Sequence, residues 1–431
     1  MQGSGKSVGS SFLGTSSMPK SKDNANALSA AVALGSGIPG MYLGMVGARR
    51  TKTSLRRSVT LRAKSQPRQE GGTVARKTKA KSASSALATA VNTAMERNVV
   101  LPATDPRFTV QRVPIGIHAL ERVTGGGFAR GRHIELFGDE STGKSMALYM
   151  TMVLAQQRGE ICALVDGEHV FDEVWFRKLG GDPDKLLGFW PKDAEEAIKV
   201  LMLFAESSRT VNGVSICGID SVASMLPREE LEKDVDEGDD RVASRARMMS
   251  KLLRRVTTMN RSTVFIWTNQ MIDSVSAYSG PTTPGGRALK FYATTRVELR
   301  RGERVKENRR VAKGNKIVSK PQVVGHWIQC RSAKEKSARP YMEASFYFDA
   351  ERAEIDTGRS LIHLALQDGL IERSGNTFSY VDGNNMQFTG TEKQMTGMLR
   401  DNHDIREELE WAIGENTKLL AVGEDEDVSA S

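Results

Sequence analysis

The chain has 431 residues, enough for one large domain or two to three smaller ones. Its three cysteines, Cys162, Cys217 and Cys330, lie far apart with no metal-ligand spacing, which points to a reducing compartment and argues against a structural zinc. The net charge of +9 is uneven: residues 1–81 hold fifteen Lys/Arg against two acids, a net +13 that leaves −4 for the remainder. The main body is mildly acidic, and bulk attraction to polyanions resides in the leading segment.

That leading segment, residues 1–83, is rich in Ser, Gly, Lys and Arg and poor in aromatics, so it reads as a disordered basic extension. Residues 24–48 lack charge but are diluted by five glycines and Pro39, which argues against a membrane span. A loose nucleic-acid tether, a solubilising tail and an organellar transit peptide all fit the composition. The "GSGKS" at residues 3–7 ends like a phosphate loop but lacks the upstream glycine and a preceding strand.

Order is expected from "SASSALATAVNTAMERN", where apolar residues recur at helical spacing, and residues 84–107 read as a helix followed by an extended run. From 108 to 349 apolar β-type runs alternate with amphipathic helical stretches, the pattern of a helix-flanked, mostly parallel sheet. "RHIELF" is a strand pattern running into "GDESTGKS" (138–145), and "KSMALYMTMVLAQQ" leaves it as a helix. Strand, glycine loop and helix in that order gather backbone N–H groups and a positive helix end around phosphates. Gly138, Asp139, Glu140, Ser141, Thr142 and Gly143 form the candidate cradle; Lys144 would reach the β- and γ-phosphates of ATP, and the Ser145 hydroxyl would ligate Mg²⁺.

Two further strand-like runs end in acids. "ICALVDGEHVFDEVW" ends in Asp166, Glu168 and His169, where a carboxylate could activate water or merely open the next helix. "VSICGIDSVASM" ends in Asp220, suited to hold Mg²⁺ through water. "TVFIWTNQ" ends in Asn269-Gln270, an amide pair that could sense a γ-phosphate or simply cap the strand. Residues 350–415 read as a small α+β unit with a hairpin in "DGLIERSGNTFSYVDG", and 416–431 close on an acidic tail.

Taken in order, GDESTGKS, DGEHVFDEVW, IDSVASM, ARMMSKLLRR, TNQ, GGRALKFYATTRVELRR and GNKI resemble the RecA family of homologous-recombination ATPases across about residues 110–385, as a divergent member such as phages encode. The resemblance implies a RecA-type core that polymerises as a filament on single-stranded DNA in the cytoplasm of a bacterium or phage-infected host. It then pairs with homologous duplex DNA, hydrolysing ATP with Mg²⁺. Within it Glu168 falls on the catalytic glutamate, Asp220 on the Walker B aspartate and Gln270 on the γ-phosphate-coupling glutamine, while Asp172 and Trp175 fall on the adenine contacts. Lys316 matches one of two lysines that reach the neighbour's ATP; the other position holds Gly314, with Lys313 displaced by one.

DNA contact is implied for two loops. The first, about 227–246, leads into a helix on which Arg247, Ser250 and Arg254 share one face. The second, about 271–288, ends at Gly285, Gly286 and Arg287, where missing side chains let backbone N–H groups approach phosphates. Val242 and Val275 fall where the family wedges apolar side chains between bases, and the second loop looks two residues shorter than the bacterial one. A hexameric helicase on the same core, or a non-catalytic mediator that binds ATP and DNA, are the competing readings.

Overall fold

The computed structural model describes residues 83–232, 241–272, 281–313 and 316–422. The basic extension up to residue 82, the middle of each DNA-loop candidate (233–240 and 273–280, with Val275), Gly314 and the tail from 423 lie outside the described residues, as do the side chains of Val242, Lys313 and Lys316.

In chain order the helices are α1 (Ala83–Ala94), α2 (His118–Thr124), α3 (Lys144–Gln157), α4 (Glu173–Lys178), α5 (Ala194–Ser207), α6 (Arg228–Leu231), α7 (Arg241–Met259), α8 (Arg287–Tyr292), α9 (Thr357–Gln367), α10 (Glu392–Asp401) and α11 (His403–Val422). The strands are β1 (Arg112–Val113), β2 (Phe128–Ala129), β3 (His133–Gly138), β4 (Ile161–Asp166), β5 (Leu186–Phe189), β6 (Val214–Asp220), β7 (Val264–Gln270), β8 (Thr295–Lys313), β9 (Lys316–Glu335), β10 (Glu343–Asp349), β11 (Glu354–Ile355), β12 (Ile371–Ser374), β13 (Thr377–Val381) and β14 (Gln387–Gly390).

Nine strands form the central sheet in the order β11-β10-β9-β8-β3-β7-β6-β4-β5. Five neighbouring pairs are parallel and three antiparallel, so the sheet is mixed, with parallel pairing in the majority. The cause is local: β8 turns directly into β9 with no helix between them, and a connection that short can only join antiparallel strands.

Strand alternation feeds two apolar layers. Leu164, Ile216 and Ile266 pack with Ala147, Leu148 and Met152 of α3, while Val165, Cys217 and Trp267 pack with α5, α7 and α8. On α7 the buried residues Met249, Leu252, Leu253 and Val256 recur at helical spacing, so the opposite face is left to polar side chains. Helices therefore cover both faces, as the sequence pattern requires.

The C-terminal segment belongs to the same core. Leu361, Leu364, Ile371, Leu399, Leu409 and Ile413 share one cluster with β3 and α3, and a buried Arg122–Asp368 ion pair joins α2 to the end of α9. The expected hairpin forms between β12 and β13, turning after Ser374 opposite Thr377. His118 at the start of α2 lies 3.6 Å from both Glu121 and Glu410, tying α2 to α11. Burial opposes its charge, but the two carboxylates outweigh that and push its pKa up to about 9.

A pKa raised on folding stabilises below the unfolded value near 6.5 and ceases to do so as pH climbs through about 9. His118→Gln should therefore cost on the order of 2 kcal/mol near pH 6 and almost nothing near pH 10. Denaturation curves of both proteins across that range check it; a constant difference would remove the histidine's charge from the account.

Candidate nucleotide and DNA site

Gly138 closes β3 with φ 153°, and a Cβ there would sit 2.0 Å from the Leu299 carbonyl of β8. Only glycine lets the loop leave the sheet this tightly. Ser141 and Gly143 take left-handed φ values of 55° and 83°, and Thr142 Oγ1 donates to the Asp139 carbonyl at 2.9 Å. Left-handed steps before a helix turn successive N–H groups to one side, which makes an anion cradle. Lys144 opens α3 and folds back over the loop, its Nζ donating to the carbonyls of Gly138 at 3.0 Å and Asp139 at 2.6 Å. Burial holds its pKa below the usual lysine value, against the pull of Asp220, Glu168, Asp139 and Glu140.

Parallel pairing brings the other strand ends to this edge. Asp166 lies opposite Asp220, and Gln270 lies opposite Gly138. The Asp220 carboxylate is buried; Oδ1 accepts from Thr268 Oγ1 at 2.5 Å, and Oδ2 has no hydrogen-bond partner among the described residues. An orphaned carboxylate oxygen is costly unless a cation or its water completes it, so the residues present fit Mg²⁺ held by Ser145 and Asp220. The backbone N–H groups of Gly167 and Glu168 both donate to the Asp220 carbonyl, at 2.8 and 3.3 Å, and the Ser221 hydroxyl donates to the Glu168 carboxylate. Glu168 is thereby held half-buried beside the Asp220 end.

Neighbouring polar residues divide into structural and open ones. Asp166 accepts from the N–H groups of Val170 and Phe171 and from Trp190 Nε1, so it shapes the loop that carries Glu168. The exposed His169 ring stands beside Trp190, 5.7 Å between centroids. Asn269 donates to Glu135 at 2.9 Å and to the Pro284 carbonyl at 3.2 Å, which makes it a strut, whereas Gln270 is half-buried beside the loop. Asp172 Oδ1 caps α4 by accepting from Val174 and Trp175 N–H groups. The half-buried Trp175 ring meets Tyr149, four residues beyond Ser145, edge-on at 5.4 Å.

The DNA candidates fall around α7. Arg247, Ser250 and Arg254 are exposed, and Ser250 bonds back to the Ala246 carbonyl. The second loop is pinched at its base, where Ile272 and Thr282 exchange two backbone bonds of 2.8 Å. Gly285 and Gly286, with φ of 86° and 72°, press against Val222 and Ala246; a Cβ at either would come within 3 Å of those side chains. Their missing side chains serve this packing, a use that the sequence reading did not foresee. Arg287 follows, exposed at the start of α8. Lys316 sits at the far end of the β8–β9 hairpin, paired with Lys313.

A buried network escaped the sequence reading altogether. Glu135, fully buried in β3, pairs with Arg296 Nε at 2.5 Å as well as with Asn269, and the Arg296 guanidinium lies 4.5 Å from the Phe137 ring centre. The only sequence signal was an acid inside the apolar run "RHIELF". Among the described residues, no helix is long and apolar enough to cross a membrane.

Comparison with known proteins places this geometry. A family model for the RecA N-terminal domain matches residues 81–350. Protein RecA of Thermotoga maritima is 34% identical over 324 residues, covering 74% of this chain and 86% of the relative. Protein RecA of Thermus thermophilus is 35% identical over 328 residues (74% and 90%), and that of Mesorhizobium japonicum 36% over 318 residues (72% and 81%). With the mixed α/β sheet already in view, this chain belongs to the RecA family.

Proposed function

We propose that the protein is an ATP-dependent DNA recombinase, a DNA-dependent ATPase that forms filaments on single-stranded DNA and promotes homologous pairing and strand exchange. The observation that carries this reading is the convergence of Lys144, Glu168, Asp220 and Gln270 at the carboxyl ends of adjacent strands around one glycine loop. Lys144 and the loop N–H groups bind the triphosphate, Asp172 and Trp175 flank the adenine, and Glu168 takes the proton of the attacking water. Mg²⁺, when bound at Ser145 and Asp220, supplies charge neutralisation on the phosphates. Gln270 sits on the strand that runs straight into the second loop, so a γ-phosphate contact there bears on DNA contact at Arg247, Ser250, Arg254 and Gly285–Arg287, with Val242 and Val275 as the base wedges.

Assembly has a physical basis. Leu87 of α1, with Val99, Val100 and Phe108 after it, is exposed, and a groove of about 830 Å³ lies between α5 and α7, lined by Ile198, Met202, Leu203, Met248 and Met259. Among the described residues, edge strand β5 has one neighbour, β4. One copy's 84–107 segment seated on the next copy's groove is a head-to-tail contact, which propagates into a helix. Lys316 would then serve the neighbour's nucleotide. ATPase measurements with and without single-stranded DNA, and micrographs of the ATP complex, test the proposal. Stimulated turnover with helical filaments is expected; rings would favour a hexameric helicase, and no turnover a mediator.

The basic extension should add affinity without sequence information. Deleting residues 1–81 is expected to flatten the slope of log affinity against log salt by about 3–4 units while the stimulated ATPase maximum survives. Unchanged slope and affinity would favour the transit-peptide reading.

A further inference from the structure

Trp190 ends the run "LLGFW" and is 65% exposed, an indole standing in water at the edge of the sheet. So exposed a ring gains little from packing, and its polar contact is the feature left to explain. Trp190 follows β5, which pairs in parallel with β4, Phe189 lying opposite Val165. One further step along both strands brings Trp190 beside Asp166. Pro191 comes next and restricts the Trp190 backbone to extended conformations. Among the described residues the indole makes one hydrogen bond: Nε1–H donates to Asp166 Oδ2 at 3.2 Å.

Asp166 in turn closes a ring of backbone. Its Oδ1 accepts from the Val170 N–H at 3.2 Å and its Oδ2 from the Phe171 N–H at 3.0 Å. Residues 166–171 thus form a turn fastened to its own first side chain, with Glu168 in the middle. On the β6 side, the Asp220 carbonyl and the Ser221 hydroxyl hold the Glu168 backbone and carboxylate. His169, next along, takes φ 56°, a left-handed conformation that a non-glycine residue keeps only where its surroundings impose it. Its ring stands beside the Trp190 indole. The turn is strained, and it is tied to β6 at Asp220 and to the end of β5 at Trp190.

We infer that Trp190 is a positioning residue for Glu168: its indole N–H orients the Asp166 carboxylate, and that carboxylate sets the turn from which Glu168 meets the attacking water. This role rests on the reading of Glu168 as the base. The two backbone donors fix the carboxylate only relative to its own turn, whereas a donor on β5 fixes it relative to the sheet. The phosphate loop and Asp220 hang on that same sheet, so the indole bond registers the base against the nucleotide. Misplacing a catalytic group by about 1 Å can cost about 10²-fold in rate, which makes a remote tie matter. Acting only through Asp166, Trp190 bears on kcat and not on KM for ATP.

The test uses full-length Trp190→Phe, which keeps a ring beside His169 and removes the N–H, and Trp190→Ala, which removes both. Single-stranded-DNA-stimulated turnover of radiolabelled ATP is measured for each, alone and combined with Glu168→Gln. Trp190→Phe should lower kcat by about tenfold, leave KM for ATP within about twofold and keep the wild-type thermal transition. On the Glu168→Gln background it should cost less than about twofold further, because the base that it places is gone. A full additional loss on that background overturns the proposal, since a general loosening acts with or without the base. A wild-type kcat in Trp190→Phe overturns it too, and impairment of Trp190→Ala alone would then assign the ring rather than the N–H. A raised KM at unchanged kcat makes Trp190 a nucleotide-binding group instead. These outcomes sink the positioning role alone. Full turnover by Glu168→Gln sinks the base and the positioning role together, and no wild-type turnover with any DNA sinks the ATPase reading itself.

Discussion

Lys144→Ala is expected to abolish ATP turnover. Lys144 is the only cation of the loop sequence, and its Nζ already lies over the loop, within 3.0 Å of the Gly138 and Asp139 carbonyls. Asp220, Glu168, Asp139 and Glu140 surround it with negative charge, so removing the ammonium leaves a carboxylate-lined edge that repels a triphosphate. Loss of one preorganised charge contact costs about 10²–10³-fold in rate, and repulsion at the binding step adds to that. Turnover should drop to background in a coupled assay while the thermal transition stays close to wild type, because the bonds lost are the Nζ bonds to the loop carbonyls of Gly138 and Asp139. Near-normal turnover would place the triphosphate elsewhere.

Glu168→Gln separates binding from chemistry. The amide keeps the size of the carboxylate and can still accept from the Ser221 hydroxyl, and the backbone bonds to the Asp220 carbonyl do not involve the side chain. Hydrolysis should fall by about 10²-fold or more, with ATP affinity preserved. On the proposed function, with hydrolysis as the step that releases DNA, complexes with single-stranded DNA should outlive those of the wild type in competitor-chase experiments. Faster dissociation in ATP would make Glu168 a binding group instead.

How much of this was legible in the sequence depends on the range of the interaction. The strand, loop and helix around Gly138–Ser145 are local, each carrying its own periodicity and glycine pattern. The acids at strand ends followed from one rule about sheet edges, and parallel register does bring Asp166, Asp220, Gly138 and Gln270 to one edge. Whether a given polar residue is open or spent was not legible, because its partner is remote in sequence. Asp166 is consumed by Val170, Phe171 and Trp190, and Asn269 by Glu135 and Pro284, while the adjacent Gln270 is not. The outer part of the β8–β9 hairpin was equally hidden: Lys306, Glu307, Asn308 and Arg310 are all exposed, so that stretch has no apolar alternation to betray it. The C-terminal segment reads as a separate unit by composition, yet Leu361, Leu409 and Ile413 complete the main core.

The clasp at the root of the second loop has an engineering consequence. Ile272 and Thr282 are bonded to each other, and Asn269 holds Pro284, so the two ends of the loop are fastened together at its base. Changing the number of residues between Ile272 and Thr282 leaves that fastening, and therefore β7 and Gln270, where they are. Chain entropy makes such changes inexpensive, about 0.6 kcal/mol for each doubling of length. On the proposed function, DNA preference can thus drift, or be redesigned, by insertion and deletion within the loop without retuning the nucleotide edge, whereas a substitution at Asn269 would release the tie at Pro284.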